Sequence, residues 1–188
     1  MYEKYIDELS ATLKNVEVDE IRTAEDLIIS IYRNNKRIYV IGNGGSAAAS
    51  SHWVCDFGKI IVMDKKRFQV MSLTDNNAWI TAIANDLSYE DVFVEQLRNL
   101  MSEGDLLIGI SASGNSENIV RSFEYAHSIG AKTMGIIGFF GGKVRELSDH
   151  SIYIPSYNYG IVEDIQLAIG HMISQEIKSN MKDGRYDG

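Results

Sequence analysis

The sequence predicts an α/β fold, a three-layer sandwich built on a five-stranded parallel sheet and preceded by an N-terminal helical arm. Two observations carry this. Short apolar runs alternate with segments of helical spacing, and the runs are continuous rather than alternating, as in strands covered on both faces. Two of the runs also end in a Gly/Ser turn that opens a helical segment, the layout of a β–turn–α unit in a parallel sheet.

The elements follow in order. Residues 1–34 are helical in pattern, with Tyr5, Leu9, Leu13 and Val16 and then Ile21, Ala24, Leu27, Ile28 and Ile31 at helical spacing. This arm either covers the sheet or packs subunits together. Strands are predicted at 37–41, 68–73, 105–110, 132–137 and 151–154, rich in Ile, Val, Leu, Met and Tyr. Helices are predicted at 46–57, 76–84, 89–101, 116–129, 141–147 and 160–181. The polar tail, residues 182–188, is expected to fray. One domain over residues 1–188 results, with 1–34 as an oligomerisation segment and 35–181 as the α/β core.

Composition narrows the function. With 188 residues and 45% hydrophobic content the chain supports one full core, and a single proline, Pro155, argues against a long linker. A net charge of −8 argues against nucleic acid as a partner. The basic cluster Lys65-Lys66-Arg67 is too short for such a tract and is expected to be a solvated turn. The only cysteine, Cys55, excludes an intrachain disulfide and is expected to be a small packed residue. No apolar leader follows Met1 and no run of about 18 apolar residues occurs. The expected location is cytoplasmic, with no membrane partner.

The Gly/Ser turns carry the first functional signal. Gly42-Asn43-Gly44-Gly45-Ser46 follows the run 37–41, and Ser111-Ala112-Ser113-Gly114-Asn115-Ser116 follows 105–110. Such turns offer free N–H groups and the positive end of a helix dipole to an anion, and serine hydroxyls add donors. Neither turn is a nucleotide fingerprint: Ala47 stands where a third glycine belongs, and no Gly-x4-Gly-Lys-Ser/Thr loop occurs. A phosphorylated sugar is expected, and no nucleotide cofactor.

Four side chains carry the second signal. His52 and Asp56 are four residues apart and share one helix face. Glu163 and His171 lie on the last long helix, eight apart and about 80° around its axis. Together they form a His₂-carboxylate₂ set, able to bind Zn²⁺ or another divalent ion or to act without metal as an acid/base group.

With these motifs the chain resembles the sugar isomerase (SIS) domain family, in its phosphoheptose isomerase branch. The resemblance rests on Gly42-Asn43-Gly44-Gly45-Ser46 with His52, on Ala84-Asn85-Asp86, on Ile110 to Ser116, and on Glu163-Asp164-Ile165-Gln166 running to Gly170-His171. It implies a flavodoxin-like sheet and an aldose–ketose isomerase acting through an enediolate. It implies substrate binding by Asn43, Gly44, Ser46, Asp86, Ser111, Ser113, Ser116 and Glu163, with the serines on the phosphate. Asp56 and His171 would be the catalytic acid/base groups, and His52, Asp56, Glu163 and His171 the zinc ligands. It also implies a homotetramer with sites at subunit interfaces. The family usually has Glu at the position of Asp56, Gln at that of Glu163, and an arginine where Lys59 stands one residue short. The alternative within the family is non-catalytic: a sugar-phosphate sensor, or an adaptor that binds a replication initiator.

Overall fold

The computed structural model describes residues 2–60 and 66–186. Helices α1 (Tyr2–Lys14) and α2 (Val18–Arg33) precede β1 (Arg37–Gly42), α3 (Gly45–Gly58), β2 (Gln69–Ser72) and α4 (Asn77–Asp86). A 3₁₀ turn (Tyr89–Asp91) leads into α5 (Val94–Leu100) and β3 (Leu106–Ser111). Then come α6 (Glu117–Ser128), β4 (Lys132–Ile137), α7 (Gly142–Glu146), β5 (His150–Tyr153) and α8 (Tyr159–Lys182).

The five strands are all parallel, in the order β2-β1-β3-β4-β5. Side-chain alternation along each strand feeds two cores. Ile38, Val40, Leu106, Ile108, Met134, Ile136 and Ile152 pack on one face, against Ile28 of α2, Trp53 and Phe57 of α3, and Ile165 and Ile169 of α8. Tyr39, Ile41, Leu107 and Ile137 face the other way, against Ile83 of α4, Leu97 of α5, Phe123 of α6 and Val144 of α7. Full burial of each large apolar side chain contributes about 1.5–3 kcal/mol. The expected three layers are therefore present.

This strand order places the site. Strands β1 and β3 are neighbours, yet the helix after β1 goes to one face and the helix after β3 to the other. The carboxyl ends of β1 and β3 thus open on a crevice at the topological switch point, where open α/β sheets bind ligands. Helix α3 is locked against α8 on one side of it. Trp53 is fully buried, its Nε1–H donates to the Gln166 carbonyl at 2.9 Å, and a Cβ on Gly170 would meet that Nε1 at 2.3 Å.

Several local expectations are corrected. The N-terminal arm breaks between Lys14 and Val18. The helix predicted over 89–101 is a 3₁₀ turn followed by α5, because Ser88 Oγ donates to Asp91 Oδ2 at 2.7 Å and Val92 and Phe93 turn into the core. Cys55 is exposed rather than packed, since it lies off the buried face formed by Ala49, Trp53, Asp56 and Phe57. Lys65 lies outside the described residues, whereas Lys66 is tied down, its Nζ donating to the Arg33 carbonyl at 3.0 Å and resting 4.7 Å from the Tyr32 ring centroid. The tail docks as far as Tyr186, whose hydroxyl donates to Glu25 and accepts from Asn180 Nδ2 at 3.0 Å. Burial first, and then the bond to Glu25, push this phenol up to about 12. Asp187 and Gly188 lie outside the described residues. No described helix is long and apolar enough to cross a membrane.

Candidate active site

The two Gly/Ser turns meet at the switch point. In the β1–α3 turn the chain passes so close to Gly42 that a Cβ there would lie 2.5 Å from the Ser46 carbonyl oxygen. Gly44, at φ +55°, starts α3 in a conformation that suits glycine. Ser46 is buried and its hydroxyl donates to Gln166 Oε1 at 2.9 Å. The Glu163 carboxylate lies over Gly45, where a Cβ would meet its oxygens at 2.2 and 2.5 Å.

In the β3–α6 turn, Ser111 Oγ accepts from the Gly114 N–H at 3.0 Å and Ser113 Oγ from the Asn115 N–H at 3.2 Å. Both hydroxyl protons stay available for an acceptor. Ser116 caps α6 with no side-chain bond to the helix. The N–H groups of the first residues of α6 have no intrahelical acceptor, and Ser116 at that helix end lines a cleft shared by the two turns. Asn43 bridges the turns: its Nδ2 donates to Asn118 Oδ1 and its Oδ1 accepts from Asn118 Nδ2, both at 2.9 Å, and from the Tyr89 hydroxyl at 2.8 Å. A small cleft of about 100 Å³ results, lined by Asn43, Ser46, Ser111, Ser113, Ser116, Tyr159 and Glu163, among others.

A second cluster sits further along the α3–α8 seam. His52 Nε2 and His171 Nε2 are 2.9 Å apart, and Asp56 Oδ2 lies 3.5 Å from the first and 3.3 Å from the second. The imidazoles are 44% and 42% exposed, whereas Asp56, at 3%, is buried behind them. Lys59 Nζ holds the other carboxylate oxygen, Oδ1, at 2.5 Å, and this hydrogen bond keeps the ammonium above its ordinary value. Asp56 Oδ2 is buried with no hydrogen-bond partner. Such an orphaned acceptor costs about 1–3 kcal/mol, and more when charged.

This trio suits a divalent cation. The three donor atoms all lie within 4.8 Å of one another. Tetrahedral coordination at roughly 2.0–2.2 Å would set ligand atoms roughly 3.3–3.6 Å apart, which matches the two edges to Asp56 at 3.3 and 3.5 Å, while the two imidazole nitrogens are closer at 2.9 Å. A cation would also give the orphaned oxygen its partner. Glu163, the fourth member expected from the sequence, is not in this group; it lines the serine cleft instead. Gly44 stays at the start of α3, and Asp86 is exposed at the end of α4, where its Oδ1 accepts from Asn85 Nδ2 at 2.9 Å. Neither is a lining residue of the serine cleft.

Sequence reasoning quoted Gln166 in a motif without giving it a role, and did not single out Asn118, Tyr89 or Tyr159. The only local signals were a polar Gln166 and Asn118 at positions the helical pattern turns inward.

The comparisons agree with this architecture. A phosphoheptose isomerase of Clostridium acetobutylicum is 35% identical over 164 residues, 87% of this chain and 84% of that one. A phosphoheptose isomerase of Nitratiruptor sp. is 37% identical over 153 residues, covering 81% and 82%. The solved structure of phosphoheptose isomerase GmhA from Neisseria gonorrhoeae superposes with a TM-score of 0.88 at 26% identity, covering 95% of this chain and 97% of that chain. A family model described as the SIS domain matches residues 2–138. The fold, the serine cleft and these matches together make the chain a member of the SIS domain family.

Proposed function

We propose that this protein is an aldose–ketose isomerase acting on a phosphorylated sugar, with sedoheptulose 7-phosphate as the substrate. One observation carries the proposal: a serine-lined cleft and an imidazole–carboxylate cluster both touch the α3–α8 helix pair. His52 follows Ser46 by six residues on α3, and His171 follows Glu163 by eight on α8, which separates the two ends by about 9–12 Å. An open-chain sugar with phosphate at its far end spans such a distance. The names of the relatives support the heptose.

In this reading Ser111, Ser113, Ser116 and the α6 N-terminus hold the phosphate, with Asn43, Gly44, Ser46 and Glu163 beside it and Asp86 at the periphery. Asp56 and His171 are the catalytic residues, with His52 beside them, and their burial divides the work. The exposed His171 Nε2 takes a proton from C1 of the ketose and returns it to C2 of the enediolate. The hydroxyl proton moves from O1 to O2 through the adjacent His52 Nε2. Asp56 Oδ2, close to both rings, stabilises whichever imidazole is charged. Steps of this kind contribute about 10²–10⁴-fold each. If His52, Asp56 and His171 held a divalent ion such as Zn²⁺, the two Nε2 atoms would be ligands rather than proton carriers, and the ion would supply polarisation of the carbonyl.

The setting we infer is cytoplasmic, and the assembly a homotetramer with sites near subunit interfaces. Tyr2, Ile6, Leu13 and Val18 support this, because they are exposed on or beside α1. Tyr5 of the same helix donates to Asp164 at 2.7 Å, next to the site.

The test is incubation with sedoheptulose 7-phosphate, with added Zn²⁺ or with a chelator, following aldoheptose phosphate by NMR. Conversion is expected, and a loss of at least 100-fold in kcat for His171→Ala and Asp56→Ala. Turnover surviving the chelator assigns proton transfer to the imidazoles alone. A folded protein that binds the sugar phosphate without converting it overturns the proposal in favour of a sensor or adaptor.

A further inference from the structure

The geometry points to Lys59 as a positioning residue that limits Asp56 to one oxygen at the cation site and weakens the hold of that site on a divalent ion. The argument starts from the two carboxylate oxygens. Oδ2 is buried, has no hydrogen-bond partner, and faces both Nε2 atoms. Oδ1 is held by Lys59 Nζ at 2.5 Å. A carboxylate so pinned has one free oxygen for a cation, so His52, His171 and Asp56 would supply three single-atom ligands and leave coordination positions open for substrate oxygens, the pattern of catalytic rather than structural sites. Lys59 reaches Oδ1 from a cleft of about 290 Å³ that His171, Ser174, Gln175 and Lys178 also line, so its ammonium shares that cleft with one of the two imidazoles.

Two effects follow from that placement. The ammonium repels any cation bound a few ångström away, and its bond to Oδ1 prevents two-oxygen binding. Both loosen the ion. With the ammonium largely in water, where screening is strongest, one unit charge at such separations alters a binding constant on the order of tenfold. Lys59 itself is 63% exposed, so its replacement removes little packing.

This inference rests on the cation reading of the trio and not on the identity of the sugar. The experiment is a titration of the metal-free protein with Co²⁺, followed by its visible absorption, with Zn²⁺ competition to extend the range. Lys59→Met is expected to bind Co²⁺ about tenfold more tightly, with weaker absorption bands as a further oxygen joins the ion. Lys59→Arg, which keeps the charge, is expected to match the unaltered protein. Lys59→Gln, which removes the charge but can still donate to Oδ1, is expected to tighten binding with unchanged bands, and it serves in place of Lys59→Met if that variant does not fold. Equal or weaker Co²⁺ binding by both uncharged variants overturns the inference. Absence of Co²⁺ binding in the unaltered protein overturns it together with the cation reading, whatever the isomerase assay gives. Isomerase failure with the Co²⁺ pattern intact leaves the inference in place.

Discussion

The β1–α3 and β3–α6 turns both carry a buried strand into a helix through glycine and serine, yet they meet different neighbours. At the first, α8 comes close. Gln166 Oε1 accepts the hydrogen bond of the Ser46 hydroxyl, and the Glu163 carboxylate covers Gly45 at the start of α3. A negative group there satisfies the helix dipole from within the protein. At the second, Ser111 and Ser113 only accept from their own turn, Ser116 makes no cap bond, and the start of α6 faces the cleft. The same local chemistry therefore serves packing in one turn and leaves its hydroxyl donors uncommitted in the other. The opposing helix decides which.

The largest expected effect separates the two turns directly. Removing the donors of the second turn, as in Ser113→Ala with Ser116→Ala, should raise KM for the phosphosugar about 100-fold with kcat nearly unchanged, since hydrogen bonds to a charged group contribute about 1.5–3 kcal/mol each. Ser46→Ala should do the reverse. It strands Gln166 Oε1 in the core and should cost about 1–3 kcal/mol of stability, read by denaturant unfolding, with a KM change of less than about threefold. A large KM effect for Ser46→Ala would show that both turns grip the phosphate.

This division marks what the sequence revealed. The parallel sheet, the two turns and the pairing of His52 with Asp56 were legible, because each depends on apolar runs or on helical spacing within one element. His171 was legible as a candidate, and the fold brings it to the pair. The neighbours of the turns were not legible. Ser46 and Gln166 are 120 positions apart, and Asn43 and Asn118 are 75 apart. Only the crossing of α3 over α8, and of β1 beside β3, creates those contacts. Glu163 joins one of its two expected groups and not the other: it lines the serine cleft and stands apart from the His52–Asp56–His171 cluster. Helical spacing toward His171 suggested a shared site, but two turns of helix carry its carboxylate to Gly45 instead. The break in the helix predicted over 89–101 escaped for a related reason, since burial of Val92 and Phe93 on one side and the Ser88–Asp91 bond on the other override propensity.

A smaller effect tests the charge at the first turn. Glu163→Gln removes a carboxylate that lines the serine cleft, so inorganic phosphate should inhibit about three- to tenfold more strongly, by relief of like-charge repulsion at short range. Unchanged inhibition would mean that Glu163 lies too far from the bound anion to matter.

The smallest effect concerns the link between the turns and is a dependence on pH. Tyr89 reaches Asn43 from the 3₁₀ turn, and that turn is fastened to α6 by Asp91, whose Oδ1 accepts from Arg121 Nη1 at 2.7 Å. The Ser88 hydrogen bond first, and the Arg121 bond second, hold the Asp91 carboxyl below the usual carboxylate range. A group whose value is lowered by folding stabilises the fold above its unfolded value of roughly 3.9 and loses that contribution as pH falls through the folded value. Stability should therefore decline below about pH 4 with a component that Arg121→Leu reduces. Because the pair is partly exposed, the component is small and should shrink further in high salt. Loss of the clamp frees the 3₁₀ turn, so phosphosugar binding by Arg121→Leu at neutral pH should weaken slightly through Tyr89 and Asn43. A variant with unaltered acid unfolding and unaltered KM would show that the Asn43–Asn118 pair alone keeps the two turns in register.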